Sequence, residues 1–159
     1  MKLSGRPGKV KLHFEPAEVE LLGVLLTELD EVVADEDADT EVGRRLYPAA
    51  LPDDPDASRQ FRELTEEALR SGRRERISAC RAQLQDPPVP LDDEDVARSW
   101  LQVLNDLRLV LGTRLGVTED GVPPPVSGPE ETDDDAVAPY AIYDYLTGVQ
   151  DLVVRALMR

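Results

Sequence analysis

The segment from Val96 to Gly116 limits the fold more than any other part of the chain. Val96, Trp100, Leu104, Leu107, Leu111 and Leu115 recur at the spacing that lines one side of a helix. A stripe sustained over about six turns must be covered by other elements, so the spacing predicts a central helix inside a helical assembly. Asp92 with Asp95 resembles a capping box with Asp in place of Glu, and Gly116 supplies the left-handed residue that closes such a helix.

Other segments supply the cover. Pro16 opens a helix carrying Val19, Leu22, Leu25 or Leu26, and Leu29, ending near Ala34. A short helix through Val42 and Leu46 stops before Pro48. Asp54-Pro55 reads as an N-cap with proline in the first turn of a helix that turns Phe61 and Leu64 inward. Thr65 reads as a second N-cap. It opens a separate helix through Leu69, Ile77, Cys80 and Leu84 that ends at Pro87-Pro88, with Gly72 as its weak point. A final helix carries Ile142, Tyr145 or Leu146, Val149, Leu152 or Val153, and Leu157.

Val10, Leu12 and Phe14 alternate with Lys11 and His13, the pattern of a half-buried strand. Its expected mate is Val89-Pro90-Leu91, which proline confines to an edge. Residues 1–9, with Gly5, Pro7, Gly8 and several basic side chains, read as a flexible basic arm, and 122–139, rich in proline and acids, as a mobile acidic loop. The expectation is an all-α fold: a single helical domain over 10–159 of about five to six helices, with at most one short two-stranded β pairing.

Composition narrows function mainly by exclusion. Eighteen basic residues against 33 acidic give −15, which disfavours direct binding to nucleic acid or anionic membranes. The sequence holds no charged-then-apolar leader and no long apolar run, so a cytoplasmic protein without a membrane span is expected. One Cys, Cys80, and one His, His13, leave no intramolecular disulfide and no multi-histidine or paired-cysteine metal site. Phosphate-binding glycine loops and nucleophile motifs are missing, and the acidic pairs read as caps or solvated loops. The expectation is therefore no enzyme, no cofactor and no metal.

Three features invite a functional reading. Cys80 lies between Ile77 and Leu84, which favours a core thiol; Arg73, Arg76 and Arg81 nearby would favour a reactive thiolate if the sulfur were exposed. Between Arg59 and Arg81, seven arginines face four glutamates. Arg70, Arg73, Arg74, Arg76 and Arg81 are candidates for binding a partner, unless they answer acids within the chain. Asn105, Arg108 and Gly112 share a face beside the apolar stripe, and with Asp106 and Arg114 they suit either a buried hydrogen-bonded network or a pocket.

Arg45-Leu46-Tyr47-Pro48 runs into Pro52-Asp53-Asp54-Pro55 and Phe61-Arg62-Glu63-Leu64-Thr65. Asn105 to Gly116 and Tyr143-Asp144-Tyr145-Leu146-Thr147 follow in the same order. Together these segments resemble the actinobacterial domain-of-unknown-function family that includes the oxidative-stress transcriptional regulator AosR. The resemblance implies an α-helical cytoplasmic protein, often encoded near the Clp protease adaptor ClpS, that adjusts transcription under oxidative stress through a sigma-factor partner. It adds Tyr143 and Asp144 to the polar group of Asn105, Asp106, Arg108 and Arg114, and supplies no catalytic set. Where redox sensing in that family uses paired cysteines, this chain departs from it, because Cys80 has no partner.

The leading expectation is a non-enzymatic regulator contacting a sigma factor or RNA polymerase component, able to form a homodimer through an apolar face of the central or final helix. Two alternatives stand beside it. One is an adaptor or accessory protein of Clp proteolysis; the other is a small-molecule-binding helical domain with its pocket at Asn105, Arg108 and Tyr143.

Overall fold

A computed structural model describes residues 1–6, 8–35, 40–51, 53–118, 121–123 and 133–158, with 133–136 as backbone alone. Three strands and five helices follow in the order β1 (Lys2–Arg6), β2 (Lys9–His13), α1 (Pro16–Asp35), α2 (Glu41–Leu46), α3 (Pro55–Gln85), β3 (Val89–Pro90), α4 (Glu94–Arg114) and α5 (Asp133–Leu157). The protein is mostly helical, and its sheet is larger than the pair expected.

The central helix forms as the sequence predicts, shifted by one residue at its start. Asp93 caps it, accepting from the backbone N–H of Asp95 at 3.0 Å and Val96 at 3.3 Å. At the other end Gly116 adopts φ +70°, Val117 N–H donates to Gly112 O at 2.8 Å, and Gly116 N–H donates to Thr113 O at 3.1 Å. Those two bonds make a Schellman closure that satisfies carbonyls the helix would otherwise leave open.

Around α4 the core collects Leu22, Leu26, Leu29 and Val33 from α1, Ile77 and Leu84 from α3, and Leu146, Val149 and Val153 from α5. Trp100 sits at its centre, wholly buried, with its indole N–H donating to Gln83 Oε1 at 2.6 Å and Phe14 5.7 Å away, ring to ring. The polar edge of the largest core side chain is thereby satisfied. On α5, Ala156 takes the buried place expected for Leu157, which faces solvent.

Within the loose arm expected at 1–9, Lys2–Arg6 instead form β1, joined to the sheet. Lys2 stands opposite His13 and Arg6 opposite Lys9 in an antiparallel pairing with β2, and β2 in turn pairs with β3 through Leu12 and Val89. Glycine makes the arrangement feasible. Gly5 has φ +104°, and a Cβ there would fall 1.8 Å from Lys9 O, so the residue that suggested looseness is the one that lets the strands close. β3 lies at the edge, where Pro90 costs no ladder bond.

Of the acidic loop expected over 122–139, residues 133–139 belong to α5, with Pro139 inside it. Residues 124–132 lie outside the described residues. A second correction concerns Thr65. It caps no new helix: its hydroxyl donates to Phe61 O at 2.8 Å, one turn back, and α3 runs unbroken through it and through Gly72. The continuity carries the first half of α3 past the core. Phe61, Leu64 and Leu69, expected to turn inward or lie in the helix packing, are 50%, 84% and 48% exposed, with Leu51 exposed nearby.

Candidate functional site

Most of the arginines singled out by sequence serve the chain itself. Arg70 reaches from α3 to the last turn of α1, donating to Val33 O at 2.5 Å, and pairs with Glu66 at 2.8 Å. Arg73 donates to Leu46 O at 2.6 Å and forms an ion pair with Asp106 of α4, whose carboxylate is buried. The guanidinium carbons of Arg70 and Arg73 lie 5.0 and 5.2 Å from the centre of the Tyr47 ring. Two arginines one turn apart therefore tie α3 to the C-terminal ends of α1 and α2 and to α4, supplying donors where helix ends present unmet carbonyls. Burial pushes the Tyr47 hydroxyl up from its ordinary pKa, against the opposing pull of the two guanidiniums.

Arg74 holds Asp30 of α1 with two bonds, at 2.9 and 3.2 Å, and this contact lowers the pKa of the Asp30 carboxyl. Arg81 is exposed and lines, with Asp30 and Arg74, an open cleft between α1 and α3. Of the arginine group, Arg81 and Arg74 thus remain exposed, while Arg76 is half-buried where α3, α4 and α5 meet.

Cys80 is wholly buried. Burial pushes its thiol up to about 12, outweighing the opposing pull of Arg76. The exposed sulfur that a reactive thiolate requires is not what this fold presents. The signal for that outcome lay in the sequence, in Ile77 and Leu84 one turn to either side, both core residues.

The polar group on α4 divides in two. Asp106 turns toward α3 and Arg73. Arg108 turns toward α5, donating to Gln150 Oε1 at 2.5 Å and to the Tyr143 hydroxyl at 3.2 Å, with its guanidinium carbon 5.1 Å from the Tyr143 ring centre. Asn105 stands exposed between them, Asp144 is exposed on α5, and Arg114 borders an apolar groove between α1, α4 and α5. One hydrogen-bonded network is therefore not formed.

The arrangement makes two adjoining clefts that share Asn105. The first, of about 400 Å³, is lined by Arg45, Arg108, Gly112, Val117 and Tyr143. Gly112 is fitted closely: a Cβ there would lie 3.2 Å from the Tyr143 ring. The second, of about 380 Å³, lies where α3, α4 and α5 meet, between Arg73, Arg76, Gln102 and Gln150. Sequence reading placed Asn105, Arg108 and Tyr143 together and missed Arg45, Gln102 and Gln150. Gln102 lies three residues before Asn105, and Gln150 seven after Tyr143, so extending each polar stripe by one or two turns would have found both.

Among the described residues no set of three His, Cys, Asp or Glu could hold a metal ion, and no helix is long and apolar enough to cross a membrane. The class so defined is a mainly helical protein with a small antiparallel sheet, a buried thiol, and a polar face of arginine and amide side chains. The chain belongs to the family described as Domain of unknown function (DUF2017), whose model matches residues 2–157. No curated protein and no solved structure matches it.

Proposed function

We propose that the chain is a non-enzymatic regulator that works by contact with another protein, a sigma factor or RNA polymerase component, and so adjusts transcription in the oxidative-stress response. The observation that carries the contact is the first half of α3. There Phe61, Leu64 and Leu69, with Leu51 ahead of the helix, hold apolar side chains out in solvent, Phe61 and Leu69 lining one cleft with Tyr47 and Pro48, and exposed apolar surface of this kind is a common mark of a binding face. The transcriptional role rests on the sequence resemblance alone. Because Cys80 is buried, the stress signal reaches the complex by a route other than oxidation of this thiol.

The test is a pulldown of purified sigma factors and RNA polymerase under reducing and oxidising conditions, with Leu64→Asp beside the wild type. Leu64 is so exposed that the change leaves folding intact. Capture that Leu64→Asp abolishes, and that Cys80→Ser leaves unchanged, is the expected result. Capture of no transcription component, or equal capture by Leu64→Asp, overturns the proposal.

A further inference from the structure

The cleft where α3, α4 and α5 meet has the composition of an anion site. Arg73 and Arg76 stand one turn apart on α3, Gln102 and Asn105 one turn apart on α4, and Gln150 enters from α5. The acid lining this cleft is Asp106, and its charge is already matched by Arg73. No carboxylate among the described residues pairs with Arg76, and its Nε is buried without a hydrogen-bond partner. A buried donor left unmet is costly, and in folded proteins such groups usually meet a water or a ligand.

The amides add donors without adding charge. Gln150 Oε1 accepts from Arg108. Arginine can only donate, so the amide oxygen must face it, which leaves the Gln150 NH₂ as the part of the side chain free to donate elsewhere. Gln102 and Asn105 make no side-chain hydrogen bond among the described residues. Donors therefore surround the cleft from three helices, around a guanidinium suited to binding oxyanions. Donors on several sides suit the oxygens of a tetrahedral group better than a flat carboxylate, which one guanidinium satisfies from a single side.

We propose that this cleft binds a phosphate group, either free or as the monoester of a small metabolite. Arg76 supplies the uncompensated charge, and Gln102, Asn105 and Gln150 orient the oxygens. None of the exposed apolar side chains in the first half of α3 lines this site, so Leu64→Asp leaves it intact.

The experiment follows the side-chain amides of the full chain by NMR during titration with inorganic phosphate, glucose 6-phosphate, acetate, and sodium chloride at matched ionic strength. Saturable shifts of the Gln102, Asn105 and Gln150 amides with phosphate, and not with chloride or acetate, are expected. Tighter binding of the sugar phosphate would identify the ester as the ligand, and tighter binding of inorganic phosphate the free anion. Arg76→Gln weakens binding about tenfold or more, and Arg81→Gln, exposed on the same helix, leaves it unchanged. Asn105→Asp, at an exposed position that folding tolerates, abolishes it by placing a negative charge in the cleft. Shifts that chloride or acetate reproduces, no saturable shift at all, or equal loss in Arg81→Gln would each overturn the proposal.

Discussion

From Pro55 to Leu69, α3 buries a single side chain, Ser58; from Arg70 to Gln85 it buries Ile77, Cys80 and Leu84 and sends arginines to its neighbours. The two halves form one helix and differ in what supports them. The first is held by local chemistry: Asp54 caps it, accepting from Ala57 N–H at 3.0 Å, Pro55 starts it, and the Ser58 hydroxyl exchanges two bonds with the Leu51 backbone. The second is held by tertiary packing and by charge pairs across helices. The contrast shows that apolar side chains alone do not decide burial. Leu64 and Leu84 are chemically identical, and the length of the helix relative to the core puts one in water and the other inside.

Matched truncations test this contrast most strongly. Leu84→Ala should cost about 3 kcal/mol in urea unfolding, and Leu64→Ala under about 0.5. Similar costs would mean that the first half is packed after all. Next in size is Asp106→Asn, which strands Arg73 against α4. Because Arg73 keeps some access to water, the expected loss is about 2 kcal/mol, below the full cost of breaking a buried pair. Asp54→Ala should cost about 1 kcal/mol, and hydrogen exchange should quicken in the first turns of α3 while its second half stays protected.

The pH dependence gives the smaller effects. Asp30 titrates below its ordinary 3.8 because Arg74 holds the charged form, so its contribution is present above that value and is lost as pH falls through the lowered one. Arg74→Gln should flatten the acid limb of stability. Cys80 behaves oppositely. Its thiol is raised from 9.0 to about 12, so its share of stability is complete below pH 9 and declines through that window as the unfolded chain forms thiolate. Native protein at pH 7 should react with Ellman's reagent only at the rate of unfolding.

Much of the frame was legible beforehand. The stripe on α4, the Asp54-Pro55 start and the Gly116 closure follow from rules that act within a turn or two, and β2 and β3 each show in their own short apolar pattern although their pairing joins distant segments. The departures come from longer range. Thr65 looks the same as a cap or as an interior residue, and only the path of the chain decides where its hydroxyl bonds. β1 escaped notice because glycines fit a loose arm and a tight pairing equally well, until Lys9 O is seen where a side chain would be. The arginines on α3 were visible as a group, but the carbonyls of α1 and α2 that absorb two of them come from distant parts of the chain. The polar face was legible only in part for a similar reason, since it brings together residues as far apart as Arg73 and Gln150.

Gly112 meets two demands at once. Its carbonyl receives Val117 where the chain leaves α4, and its bare Cα faces the ring of Tyr143 on α5. The width of the first cleft is thus gauged by a side chain that is not there. Lengthening that position by one methyl would push on the ring from one side while the exit of α4 holds the other, so a change at the helix end would be read out as a change in the aperture between helices.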